Sequence, residues 1–195
     1  FGFGRVGRLI AREIIAQAGK GQQLRLRAII TRSVSEKDII KRAELLRVDS
    51  VHGYFPGTVI EDIEDSALIV NGHKIKMIAC DKIGDLDLEE HGIKDALLID
   101  NTGIVRNRDT LSAHLKSKGV SKVLLTAPGK DDIPNIVHGV NHQEFDPKKE
   151  SIFSAASCTT NAIIPILHII EKAIGVEGGH IETIHSYTND QNLLD

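Results

Sequence analysis

Between Arg5 and Ala18 the apolar residues Val6, Leu9, Ile10, Ile14 and Ile15 recur three and four positions apart, one face of a helix. Gly19 and Gly21 follow and are expected to end it, because glycine tolerates the left-handed backbone of a helix C-terminus. Leu24, Leu26, Ala28 and Ile30 then alternate with other residues, the period of a strand. Ser35-Glu-Lys-Asp38 has the form of a capping box with Asp in the acidic place, and predicts a second helix to about Arg47. Residues 67–78 read as two strands about an Asn71-Gly72 turn, a pair that accepts the positive φ angles of a tight hairpin. Ala96-Leu-Leu-Ile-Asp100 is apolar almost throughout, as in a strand covered on both faces. A short helix is expected from Leu111 to Lys118, a strand over 122–126 and a further one over 136–140. A long apolar helix runs from Cys158 to Ile174, where Gly175 ends it, and 179–187 reads as a strand that opens a second domain. Strands alternating with helices predict an α/β fold.

Composition narrows the function. The chain has 195 residues, 41% hydrophobic and 26% charged, with a net charge of -3, so it has the make-up of an ordinary globular domain. Its Lys and Arg residues are scattered, which argues against a nucleic-acid or membrane surface, and the absence of Trp weakens any base-stacking reading. Cys80 and Cys158 are far apart and form no CxxC; with no secretory segment in view, a reducing cytoplasmic setting is expected. The longest apolar stretch, 162–174, is interrupted by His168 and Glu171 and is too short to span a bilayer. A chain that opens at Phe1 directly on a glycine fingerprint and stops at Asp195 is expected to be part of a longer enzyme, lacking a first strand and inactive by itself.

Gly2-Phe-Gly4-Arg-Val-Gly7 matches GxGxxG with a helix directly after it. The first glycine permits the turn, the second admits a pyrophosphate and the third lets helix and strand approach. Phosphates then meet the N–H groups of the helix N-terminus. These features predict a Rossmann-type dinucleotide-binding domain over 1–157, followed by the start of an α+β catalytic domain over 158–195. An acidic residue is expected after the second strand to hold the ribose hydroxyls; Arg32 stands there instead. Arg32 can pair with a 2′-phosphate, which points to NADP, or it can be a surface residue beside a loosely held ribose; a shift of one residue would place Ser33 there. NAD and NADP both stay open.

Cys158 falls at the first position of the long helix, flanked by Ser157 and by Thr159 and Thr160. A helix N-terminus favours thiolate, the reactive form, and its backbone N–H can serve as an oxyanion donor. His185, 27 residues on, can act as the base. His138 and His142 lack the context of a metal site, so no metal is expected; His52 reads as a turn residue, His114 as a solvated helix residue and Cys80 as an inert, partly buried thiol.

Ser-Cys-Thr-Thr-Asn at 157–161 and His-Ser-Tyr-Thr-Asn-Asp-Gln at 185–191 closely resemble the two active-site segments of glyceraldehyde-3-phosphate dehydrogenases. The segments at 2–8, 49–53, 101–103 and 126–130 also resemble that family, in its order, and the likeness runs along the whole chain. It implies Cys158 as nucleophile and His185 as base. It implies that Arg5 and Val6 touch the cofactor phosphates, that Thr102, Gly103 and Thr126 line the cofactor cleft, and that Asn161 orders the nicotinamide end. Ser157 and Thr159 would hold inorganic phosphate and Thr188 the substrate phosphate. Glyceraldehyde 3-phosphate and inorganic phosphate are the implied substrates and a homotetramer the implied assembly. Two other readings are an erythrose-4-phosphate dehydrogenase, with water as acyl acceptor, and a silent dinucleotide-binding module.

Overall fold

The computed structural model describes residues 1–18, 24–130 and 132–184. Helix α1 (Arg5–Gln17) follows the glycine turn and packs Gly7, Ala11 and Ile15 inward. Strand β1 (Ala28–Thr31) is shorter than the alternation from Leu24 suggests: residues 24–27 carry no ladder. Helix α2 (Glu36–Arg47) opens with the expected capping box, Ser35 Oγ accepting from the Asp38 N–H and Asp38 accepting from the Ser35 N–H. A small antiparallel pair follows, β2 (Val48–Asp49) with β3 (Gly53–Tyr54), then β4 (Val59–Asp62), β5 (Ala67–Val70) and β6 (His73–Ala79). Asn71 and Gly72 take φ of 48° and 79°, the turn that their sequence predicts between β5 and β6. Next come β7 (Ala96–Asp100), helix α3 (Arg108–Ser112) continued by a 3-10 turn to Lys116, β8 (Val120–Leu125), β9 (Ile152–Ser154) and α4 (Cys158–Ile174).

Three of these differ from the expected elements. The helix expected from Leu111 starts at Arg108, because Asn107 caps it by accepting from the Thr110 N–H. Residues 136–140 form no strand: 138–140 are a turn, and the stretch 134–136 meets β9 through single bonds, Ile136 N donating to Ser154 O and Ser154 N to Pro134 O. Of the strand expected over 179–187, residues 179–184 are exposed and without regular structure, and 185–187 lie outside the described residues, as do Gly19 and Gly21.

The strands make one four-stranded sheet in the order β1-β6-β5-β4 and one parallel sheet in the order β7-β8-β9. β1 pairs with β6 in parallel, and β4, β5 and β6 form an antiparallel meander. Phe1 and Gly2 join the sheets. The Phe1 amino group donates to Ile99 O at 2.7 Å, Asn101 N donates to Phe1 O, and Gly2 N donates to Ile30 O. The carboxyl ends of β1 and β7 therefore meet at the glycine turn. Alternating side chains of β1 feed two cores: Ile29 packs with Ala11, Ile15, Leu46 and Leu68, and Ile30 with Leu98, Leu111, Val123 and Leu125. Truncating Leu46 or Leu68, both wholly buried, to alanine would cost about 2–5 kcal/mol. The fold is α/β, as predicted.

Candidate functional site

In open parallel sheets, ligands bind beyond the carboxyl ends of the strands. The predicted site residues gather there. Arg32 follows β1, Thr102 and Gly103 follow β7, Thr126 follows β8, and Ser157 and Cys158 lie shortly after β9.

The three glycines of the turn differ in what surrounds them. Gly2 has φ +83°, and a Cβ there would sit 3.1 Å from Thr102 Cγ2. A Cβ on Gly7 would lie 2.5 Å from Gly2 O, so only glycine lets the first turn of α1 rest on the loop. Gly4 is the reverse case: nothing stands within 4 Å of its Cβ position. It is also the N-cap of α1 and provides no side-chain cap, so this helix start faces open space with its first N–H groups uncapped by a side chain. A phosphate fits such a cradle. Arg5 and Val6 are exposed beside it.

Positive charge surrounds the turn. Arg8 from α1 and Arg42 from α2 both reach Phe3 O, at 3.5 and 3.4 Å. Burial, partly offset by Asp49, lowers the pKa of the Arg8 guanidinium. Asp49 is buried, and its Oδ1 accepts from the backbone N–H groups of His52 and Val51 and pairs with His52 Nδ1, each at 3.0 Å. These hydrogen bonds hold its carboxyl well below the usual carboxylate range, and its Oδ2 faces Arg5 and Arg8 at 3.9 and 3.8 Å. His52 is thus an anchor for Asp49, more than a turn residue.

A second buried carboxylate organises the cleft residues after β7 and β8. Asp100 Oδ1 accepts from Thr102 N at 2.8 Å and from the Thr102 hydroxyl at 2.7 Å, while Oδ2 meets His114 Nε2 at 2.9 Å. Burial pushes the Asp100 carboxyl up, but the bonds from His114 and Thr102 outweigh it and hold it below the ordinary range. Thr126 donates to Asp100 O from both its N–H and its hydroxyl, at 3.1 Å. His114, expected on a solvated face, is 1% exposed: the 3-10 turn after α3 rotates it inward, where Asp100 satisfies it.

At the end of β1, Arg32 is exposed. Ser33, the alternative, is engaged: its carbonyl accepts from Thr31 and its hydroxyl donates to Asp38. Asp38 is itself taken up by the cap of α2.

The segment before Cys158 is held under strain. Ala156 has φ +59°, uncommon for a residue with a Cβ and worth about 1 kcal/mol or more of strain. Ser154, fully buried, stabilises it: its Oγ accepts from the Ala156 and Gly129 N–H groups and donates to Ala127 O. Ser157 then caps α4, accepting from Thr160 N at 3.0 Å, with the Thr159 hydroxyl 3.0 Å away. Asn161 turns back to donate to Ala155 O and Ser157 O. Cys158 is the first helical residue and is exposed, so its sulfur sits in the positive end of the helix dipole. Cys80 is partly buried; burial raises its thiol pKa, and its Sγ donates to Lys82 O.

The structure therefore brings Gly2, Gly7 and Thr102 into contact, ties Thr126 to the strand that carries Thr102, and sets Ser157, Cys158, Thr159 and Asn161 on one helix start. His185 and Thr188 lie outside the described residues. Sequence reasoning missed Asp49, Asp100, His114, Ser154, Arg8 and Arg42. Asp49 and Ser154 stood inside or beside quoted segments, but nothing local shows that Asp49 also faces Arg5 and Arg8 of α1 or that Ser154 also reaches Ala127 and Gly129.

Comparison with known proteins agrees with this layout. Residues 1–108 match the family profile of the glyceraldehyde 3-phosphate dehydrogenase NAD binding domain, and 157–195 that of the C-terminal domain of the same enzymes. The whole chain is 52% identical to a glyceraldehyde-3-phosphate dehydrogenase-like protein of Pseudomonas aeruginosa, covering 42% of it. It is 38% identical to the glyceraldehyde-3-phosphate dehydrogenase of Zymomonas mobilis, covering 54%, and 39% identical to that of Thermotoga maritima, covering 55%. The chain thus spans about half the length of the curated relatives it matches. A glycine turn cradling an uncapped helix start, a cysteine on a capped one, and matches at both ends of the chain lead to one conclusion: the chain belongs to the glyceraldehyde-3-phosphate dehydrogenase family and carries its Rossmann-type NAD-binding domain.

Proposed function

We propose that this chain is the cofactor-binding half, with the nucleophile, of a phosphorylating glyceraldehyde-3-phosphate dehydrogenase. One observation carries the reading: Cys158 is exposed at the capped start of α4, directly beyond a parallel strand of the sheet that also bears Thr102 and Thr126. The domain boundary falls at Ser157, with the catalytic domain beginning at Cys158.

Gly4 leaves room for a pyrophosphate, Gly2 and Gly7 let the turn and α1 close on their neighbours, and Arg5 and Val6 flank the opening. Thr102, Gly103 and Thr126 form the wall beyond β7 and β8, and Asn161 supports the nicotinamide end through its hold on the 155–157 loop. When bound, the nicotinamide supplies the hydride acceptor for the oxidation. Cys158 Sγ adds to the aldehyde carbon, and His185 takes the proton of the resulting hydroxyl. The acyl group is then held on Sγ as a thioester. Inorganic phosphate, bound by Ser157 and Thr159, displaces it to give an acyl phosphate, while Thr188 holds the phosphate of the substrate. Arg32, exposed where an acidic residue would repel a 2′-phosphate, lets the site take NADP as well as NAD. Arg32→Glu is expected to lower affinity for NADPH relative to NADH about tenfold; an unchanged ratio removes Arg32 from cofactor choice. A homotetramer in the cytoplasm is the assembly and setting that go with this reading.

The test is chemical trapping in a protein that joins this chain to the second half its relatives carry. Incubation with glyceraldehyde 3-phosphate and oxidised cofactor, without phosphate, should leave an acyl adduct on the tryptic peptide containing Cys158, released by added phosphate. Turnover with no adduct on that peptide would overturn the assignment of the nucleophile.

A further inference from the structure

β9 pairs with β8 along one side, and on its other side the stretch 134–136 meets Ser154. Ser154 N donates to Pro134 O and Ile136 N donates to Ser154 O. These are the bonds of a parallel ladder one residue long, with Asn135 opposite Ser154. Neighbours across a ladder carry their side chains on the same face, so the two side chains lie together.

The Asn135 amide makes there the four bonds that an asparagine side chain can make. Its Oδ1 accepts from Gly129 N and from Ser154 Oγ, each at 2.9 Å. Its Nδ2 donates to Gly129 O at 3.0 Å and to Ile133 O at 3.2 Å. One side chain thus grips the loop after β8 by both polar groups of Gly129 and closes on the serine. Asn135 is held in turn: its carbonyl accepts from Asn141 Nδ2 at 3.0 Å, and Asn141 Oδ1 accepts from Val137 N at 2.8 Å. The junction is close: a Cβ on Gly129 would lie 2.7 Å from Ile133 Cγ2 and 3.2 Å from Ser154 Cβ.

Ser154 passes this hold on toward Cys158. Its Oγ accepts from Ala156 N at 2.9 Å, and Ala156 keeps φ at +59°. Left to itself, a residue with a Cβ leaves the left-handed region, and the peptides after it turn with it. Cys158 follows two residues later as the first residue of α4. Asn135 Oδ1, Ser154 Oγ and the Ala156 N–H therefore form one line of contacts that ends at the peptide leading into the helix start.

We propose that Asn135 is a positioning residue for the nucleophile: through Ser154 it holds the left-handed Ala156 peptide and so sets the direction in which Cys158 Sγ meets the aldehyde. The inference rests on Cys158 being the nucleophile, as proposed above. Asn135 itself touches neither substrate nor cofactor in this role.

The test uses the protein that joins this chain to the second half its relatives carry. Acylation of Cys158 by glyceraldehyde 3-phosphate is timed in a single turnover without inorganic phosphate, and the adduct is located on its tryptic peptide. Asn135→Ala should slow acylation about tenfold or more. Affinity for reduced cofactor should stay within about threefold, because Thr126 keeps its own bonds to Asp100 O. Amide exchange should quicken at Gly129 and Ala156 but not at Thr160 or Asn161. Ser154→Ala should slow acylation as well, and adding Asn135→Ala to it should slow the reaction by no more than about a further twofold, since the two side chains act along one path. If Ser154→Ala does not fold, Asn135→Ala decides alone. A parent that forms no adduct on that peptide overturns the nucleophile assignment and this inference with it. A parent that forms it, with Asn135→Ala equally fast, overturns this inference alone. Effects that multiply in the double variant, or a loss of cofactor affinity as large as the loss in acylation, would make Asn135 a general stabiliser of the fold and overturn the positioning role equally.

Discussion

Two helix starts face the carboxyl ends of the parallel strands, and they are built in opposite ways. α1 begins at Gly4 with no side-chain cap, yet its body is packed through Gly7, Ala11 and Ile15. α4 begins with Ser157 as a hydrogen-bonded cap, yet none of its residues is buried. α2 and α3 are also capped by side chains, Ser35 and Asn107. Among the described α-helices, α1 alone has no side-chain cap. A cap normally contributes about 1 kcal/mol, and packing of α1 offsets its absence. The contrast suits the two chemistries of the proposed reaction: an uncapped start can take an anion from outside, and a capped start can support charge on its own cysteine sulfur.

Ways to break this comparison differ in size. Cys158→Ser should lower phosphate-dependent dehydrogenase activity by about three orders of magnitude or more in the protein carrying both halves, because a hydroxyl cannot replace the thiolate. Retention of even a tenth of the activity would move the chemistry away from α4.

Gly4→Asp reads the trade-off directly. Its side chain has open space and φ of -75°, so it can cap α1 without strain. Thermal stability should rise slightly while affinity for reduced cofactor falls about tenfold or more, since the new carboxylate occupies the phosphate position. A variant that binds cofactor as tightly as the parent would show that the phosphates lie elsewhere. Ser157→Ala is the smallest change. It should cost about 1 kcal/mol locally, seen as faster exchange of the Thr160 and Asn161 amides, and slow alkylation of Cys158 by a few-fold.

What could be read in the sequence was what neighbours in sequence decide. Ser35 and Asp38 form their capping box across three residues, and Asn71 and Gly72 form their turn alone. The glycine fingerprint and the helix from Cys158 are local in the same way. Failures share one cause, the need for a distant partner. Ile136–Val140 has strand composition, but the edge of β8 is taken by Ile152–Ser154. His114 lies on a short polar helix and is turned inward by Asp100, 14 residues earlier. Ser154 and Asp49 hold the candidate site together through loops that the chain brings together only on folding. Candidate site residues were therefore more legible than the residues that position them.

The central claim is that the two helix starts serve one phosphorylating oxidation. It is tested most directly by following cofactor reduction with glyceraldehyde 3-phosphate, with and without inorganic phosphate, in the protein that unites this chain with the family's second half. The account predicts sustained reduction that requires phosphate and is lost in Cys158→Ser. Reduction indifferent to phosphate, or none with either NAD or NADP, would contradict it.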